Sequence, residues 1–166
     1  MNSTAGDAAA DSYVSLAYAD SFFLASVSND AWPATNPEKE ASLIEATRIL
    51  DSQFSWLGEI STDTQSLRWP RTGVYDVDGR LYPSNTIPKV LMDATCNLAY
   101  FLLQNGGLNQ MQSAITGLKV GPIDLKFAED ESVIGVPPYV AKSLQSIGSY
   151  QGQMQGGVYS VNAVRS

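Results

Sequence analysis

Residues 66–93 read SLRWPRTGVYDVDGRLYPSNTIPKVLMD, the densest mixture of arginine, aromatic, proline and glycine in the chain. Three prolines (Pro70, Pro83, Pro88) and two glycines (Gly73, Gly79) leave little room for regular structure up to Pro88. Structureless connections of this length in a compact domain are either functional or disordered. Trp69, Val74, Tyr75, Leu81 and Tyr82 supply side chains to bury, so the stretch reads as an ordered recognition loop over residues 58–87. Helical patterns flank it on both sides and hold its ends.

Upstream, Asn36-Pro37-Glu38 predicts a helix start: a cap, a proline whose missing N–H costs nothing there, and acids facing the positive helix end. The pattern runs to about Phe54, with Ala41, Leu43, Ile44, Thr47, Leu50 and Phe54 turned inward, and Gly58 marks the stop. Downstream, Ile87-Pro88 opens a second long helix, which closes at Asn105-Gly106-Gly107. Its inward stripe is Leu91, Ala94, Thr95, Leu98, Phe101 and Leu102. Ser15 caps a shorter helix over residues 16–26, with Leu16, Ala19, Phe22, Phe23 and Val27 at helical spacing. Residues 117–128 alternate and are broken by Gly121-Pro122, the pattern of a small hairpin. Residues 137–147 predict one more short helix. Residues 1–11 read as a flexible N-terminal arm, residues 12–147 as the main domain and residues 148–166 as a C-terminal arm that orders against a neighbour. The expected fold is mainly α: a small helical bundle around Phe22, Leu43, Leu50, Phe54, Leu91, Leu98 and Leu102, with a long ordered loop, a short β-hairpin and an extended C-terminal arm.

Charge narrows the function. Seventeen acidic residues against ten basic ones give −7, a poor balance for gripping phosphates, and there is no histidine. Without histidine, Ser-His-Asp and Cys-His catalysis and most zinc sites are excluded, and no glycine-rich phosphate cradle is present. No enzyme activity, cofactor or metal is expected. Asp76-Val77-Asp78-Gly79 is a fragment of a calcium loop without its later ligands, and a turn is the simpler reading. Cys96 falls on the apolar side of its helix and reads as a core residue. One cysteine fits a reducing compartment, and no run reaches the length of a membrane span. Glu38, Lys39 and Glu40 read as a solvated first helical turn.

Arg68-Trp69-Pro70-Arg71 admits three uses: stacking and hydrogen bonding that hold the loop to its own domain, anchoring of a protein interface, or a clamp on single-stranded nucleic acid.

These residues carry a resemblance. Residues 12–17 (SYVSLA) with Ala19-Asp20, Trp32, residues 38–41 (EKEA) and residues 46–51 (ATRILD) take part in it. So do residues 67–76 (LRWPRTGVYD) with Asp78-Gly79, Ile87-Pro88 with the helix carrying Ala94 and Leu98-Ala99, and residues 119–123 (KVGPI) with Phe127-Ala128. Together they resemble a family of tailed-bacteriophage head–tail connector (adaptor) proteins, whose members are often labelled DnaT-like single-stranded-DNA-binding proteins. The resemblance implies a virion protein at the head–tail junction, assembled in the host cytoplasm. It implies a ring of twelve copies that joins the portal to a tail protein, with DNA present only as transiting genome. In that reading Arg68, Trp69, Arg71 and Tyr75 form one protein interface, and Tyr159, Val161 and Arg165 of the arm another. Two alternatives come from other classes: a single-stranded-DNA-binding replication accessory protein, and a hydrolase working through carboxylates alone.

Overall fold

The computed structural model describes residues 1–26, 32, 35–105, 118–120, 123–125 and 136–151. Among these are α1 (Leu16–Leu24), α2 (Asn36–Gln53), α3 (Lys89–Gln104) and α4 (Pro138–Ser143). Six short strands accompany them: β1 (Phe54–Trp56), β2 (Glu59–Ile60), β3 (Arg71–Thr72), β4 (Leu118–Val120), β5 (Ile123–Leu125) and β6 (Gly148–Tyr150). They form three antiparallel pairs, β1 with β6, β2 with β3 and β4 with β5. The fold is therefore mixed, with helices at its centre and small sheets around them.

The long helices α2 and α3 build the core. Leu43, Ala46, Ile49 and Leu50 face Leu91, Ala94, Leu98, Ala99 and Leu102 in one buried cluster. The buried threonines do not break it, because Thr47 Oγ1 donates to Leu43 O (2.9 Å) and Thr95 Oγ1 to Leu91 O (2.8 Å) one turn back. Cys96 is fully buried, and desolvation pushes its thiol up to about 12, so it packs as a small apolar residue. Tertiary packing moved other residues of the expected stripes. Ala41 is exposed and Phe22 is half-buried, while Ala46 and Ile49 take inward places.

The helix ends show how local chemistry and neighbours share control. Ser15 caps α1 as expected, its Oγ accepting from Tyr18 N (3.2 Å), but the helix stops at Leu24. At α2 the cap is Thr35, not Asn36. The Glu38 carboxylate accepts from Thr35 N (2.9 Å) and Thr35 Oγ1 (2.8 Å), which places Pro37 one position further in. The charged first turn is not simply solvated. Lys39 donates to Asp20 Oδ1 (2.9 Å), which also accepts from Trp32 Nε1 (2.8 Å), and the Met1 ammonium lies 3.5 Å from Glu40. Trp32 stacks on Phe23 (4.4 Å between ring centroids), so α1 is pinned to α2 through one aspartate and one indole.

Helix α2 runs directly into β1, where the period changes from helical to alternating: Phe54 and Trp56 are buried and Ser55 is exposed. This strand pairs with β6 in the register Phe54 to Tyr150 and Trp56 to Gly148. Residues 148–150, expected at the start of an arm reaching a neighbour, are thus a strand of the chain's own sheet. Residues 152–166 lie outside the described residues. The 1–11 segment, read as a flexible arm, is hydrogen-bonded: Asn2 N donates to Asp11 Oδ1 (2.7 Å), and Ser66 Oγ donates to Asp7 O (3.1 Å) and Ala10 O (2.5 Å). The 117–128 hairpin is present as β4 and β5, in the register Leu118 to Leu125. No helix among the described residues is long and apolar enough to cross a membrane.

Gly58 makes the turn from β1 to β2 at φ +69°, and a Cβ there would collide with Thr72 O and a Val74 methyl. Gly79 has φ +77° with open space around it. Gly58→Ala is expected to cost more than about 2 kcal/mol, strain plus collision, and Gly79→Ala about 1 kcal/mol. Urea denaturation of the two variants checks the order.

Candidate functional site

The loop between α2 and α3 is ordered by its own polar groups. Arg71 spends its guanidinium on three backbone carbonyls: Nε to Leu57 O (2.6 Å), Nη2 to Gly58 O (2.6 Å) and Nη1 to Arg68 O (3.1 Å). This five-donor fork is suited to such bridging, and it ties β3 to the β1–β2 turn. Gln65 works alongside it. Its amide nitrogen donates to Leu67 O (2.8 Å) and Pro70 O (3.1 Å), and its oxygen accepts from Ser61 N (3.1 Å) and Thr62 N (3.0 Å). Nothing in the sequence singled out Gln65, because a glutamine stapling a loop has no characteristic spacing.

Trp69 is the anchor. It is 1% exposed, meets Trp56 edge to face with 6.1 Å between centroids, and precedes a cis peptide bond to Pro70. Of the interface residues expected from the sequence, Trp69 is the one placed inside the core of the chain. Beside it, the Asp51 carboxylate of α2 accepts the Tyr13 hydroxyl on one oxygen and Arg68 N (3.2 Å) on the other. Tyr13 N in turn donates to Thr47 Oγ1 (3.2 Å). Burial lifts the Asp51 carboxyl above its usual range, while the Tyr13 hydroxyl and the Arg68 N–H pull it back. Burial, with the Asp51 charge added, pushes the Tyr13 phenol well above its ordinary value.

Beyond this anchor the loop ends in a hairpin over residues 74–82. Tyr82 N donates to Val74 O (2.9 Å), Asp76 N to Arg80 O (2.8 Å), and Tyr75 bridges Leu81. Asp76 Oδ1 accepts from Asp78 N (2.9 Å) and Arg80 N (2.8 Å), so the calcium-like fragment is a turn whose carboxylate is held by backbone. Those N–H groups, with the Arg80 cation, keep Asp76 below the usual carboxylate range. Alternation then sorts the side chains. Val74 is buried and Tyr82 half-buried, while Tyr75 (56%), Val77 (85%) and Leu81 (57%) stand out in water. Arg80 is 75% exposed and pairs with Asp76 (3.1 Å) and Asp78 (2.6 Å). Of the expected site residues, Tyr75 is presented to solvent, Arg68 is exposed, Arg71 is committed to carbonyls and Trp69 is core. Tyr159, Val161 and Arg165 lie outside the described residues. Sequence reasoning missed Arg80, whose signal was its place directly after the Asp78-Gly79 turn.

Trp69→Ala is expected to lose about 3–5 kcal/mol, and Trp69→Phe less, because the lost indole N–H has no acceptor among the described residues. Thermal melts of both variants check this. A phenol with a raised folded-state value stabilises the fold below its unfolded value, about pH 10, and loses that contribution as pH climbs further. Tyr13→Phe should therefore cost about 1.5–3 kcal/mol at neutral pH and flatten the alkaline fall in stability, read by urea titrations from pH 8 to 11.

Compared with protein-family models, the chain matches one over its whole length, residues 1–166. No curated protein and no solved structure matches it. The family match corrects the expectation of a head–tail connector with its twelve-copy ring, portal and tail partners. The matching family is described by single-stranded DNA, and nothing in the comparisons indicates a connector. The chain belongs to the family described as "Putative DnaT-like ssDNA binding protein".

Proposed function

We propose that this protein binds single-stranded DNA as a replication accessory factor, and acts by binding and not by turnover. The full-length family match is the observation that carries the reading. The loop's geometry supports it. Single strands are held by aromatic faces on which bases stack and by cations that track phosphates. The 74–82 hairpin offers an exposed tyrosine on a hydrogen-bonded stem, with Arg80 four residues after Asp76 and two after Asp78, and with Arg68 at the loop's base.

The electrostatics set the strength. The chain carries −7 overall, yet residues 68–80 hold three of its ten basic residues against two aspartates. Phosphate contact is therefore centred on this stretch, and the acidic character of the chain as a whole disfavours a nonspecific grip on the strand elsewhere. Exposed ion pairs such as those of Arg80 are worth only about 0–1 kcal/mol, so the guanidinium can exchange Asp78 for a phosphate at little cost. Binding is accordingly modest and salt-sensitive.

Fluorescence anisotropy with an oligo-dT strand tests the reading. With Arg68 and Arg80 each meeting a phosphate and Arg71 held by carbonyls, the slope of log K against log salt from this stretch is about −1.4, or roughly 7-fold weaker binding between 50 and 200 mM salt. Tyr75→Ala should weaken binding about 5- to 150-fold while leaving the melting temperature unchanged. Absence of binding at 50 mM salt, or binding unaffected by both salt and Tyr75→Ala, would rule the proposal out.

A further inference from the structure

A second feature lies away from the hairpin, where α1 meets the first turn of α3. An open cleft of about 520 Å³ is lined by Tyr18, Ser21, Phe22, Ala25, Ser26 and Lys89. The α1 members recur at three- and four-residue spacing, so they are one face of the helix. This is the face that the described residues leave partly uncovered: Ala19 and Phe23 point into the core, while Tyr18 and Phe22 are half-buried at its rim. The volume lies within the range of small-ligand sites.

The rim side chains are held in place before any ligand arrives. The Phe22 ring stands perpendicular to Phe23 (5.1 Å between centroids, 88° between planes). A single carboxylate fixes the other two groups: Asp93 Oδ1 accepts the Tyr18 hydroxyl (2.7 Å) and Asp93 Oδ2 accepts from Lys89 Nζ (2.5 Å). The Lys89 side chain remains 74% exposed, and an ammonium has three donors, of which Asp93 takes one. The cleft thus combines two oriented aromatic rings, serine hydroxyls and a cation at its mouth. By contrast, the groove along the outer face of α2 is lined by Ala41, Ile44, Glu45, Arg48, Ile49, Ser52 and Gln53, with no ring on which a base could stack.

We infer that the α1–α3 cleft is a nucleotide subsite, in which a base stacks on Phe22 and Tyr18 while its phosphate meets Lys89. The inference rests on the single-stranded-DNA reading and adds to it a second contact point, separate from the Tyr75 hairpin. Asp93 opposes the phosphate electrostatically, so the subsite contributes through stacking first and charge second.

The test uses the full chain, an oligo-dT strand containing one 5-iododeoxyuridine, and photocrosslinking mapped by mass spectrometry. Crosslinks are expected in the peptide carrying Tyr18 and Phe22. In anisotropy titrations, Lys89→Gln should reduce the salt slope by about 0.7, the share of one phosphate contact on a single strand. Phe22→Leu, which keeps an apolar side chain but removes the ring, should weaken binding at least about fivefold. Lys89 is solvent-exposed, so its variant folds even if Phe22→Leu loosens the helix. Wild-type binding with no crosslink to this peptide and an unchanged slope in Lys89→Gln would overturn the subsite while leaving the hairpin reading intact. No binding by the wild type would overturn both.

Discussion

The burial of one indole organises the central third of this protein. Trp69 is sealed against Trp56, and that contact forces the backbone on either side of it to find partners inside the fold. Pro70 O receives Ser61 N (3.2 Å) and the Gln65 amide (3.1 Å), Arg68 N reaches Asp51, and Arg68 O receives the Arg71 guanidinium (3.1 Å). A loop with this many internal acceptors can hold a hairpin away from the body without a helix beneath it.

The same constraint explains the polar centre around Asp51. A carboxylate half-buried on α2 is costly unless its oxygens are occupied, and Tyr13 and Arg68 N occupy them. The result joins the N-terminal segment, α2 and the loop through one side chain. The loop base is thus tied to Tyr13 and, through it, to Thr47, and the exposed hairpin projects from a hydrogen-bonded base.

Under the proposed function, that ordering matters for binding a flexible strand with an acidic protein. With little Coulombic attraction to draw on, affinity must come from aromatic surface that is already ordered, because ordering it on binding would consume the gain. Tyr75 on its hairpin stem and Phe22 against Phe23 both meet this condition. The cations beside them are held by carboxylates, Arg80 by Asp76 and Asp78 and Lys89 by Asp93.

The sequence by itself determined the long helices, the Pro88 start, the Ser15 cap, the 117–128 hairpin and the turn at Asp78-Gly79. All rest on interactions within a few residues, and local spacing records them. It also singled out residues 68–75 as the part to watch, from their unusual composition. Tertiary structure alone decided which of those residues face water. Arginine, tryptophan and tyrosine suit a core staple and an exposed surface equally well, and only the path of the backbone puts Trp69 and Arg71 in the first and leaves Tyr75 facing water. Strands β1 and β6 were invisible for a related reason. Their partners lie more than ninety residues apart in the chain, and the three-residue alternation of Phe54, Ser55 and Trp56 acquires meaning only when Gly148–Tyr150 comes to lie beside it.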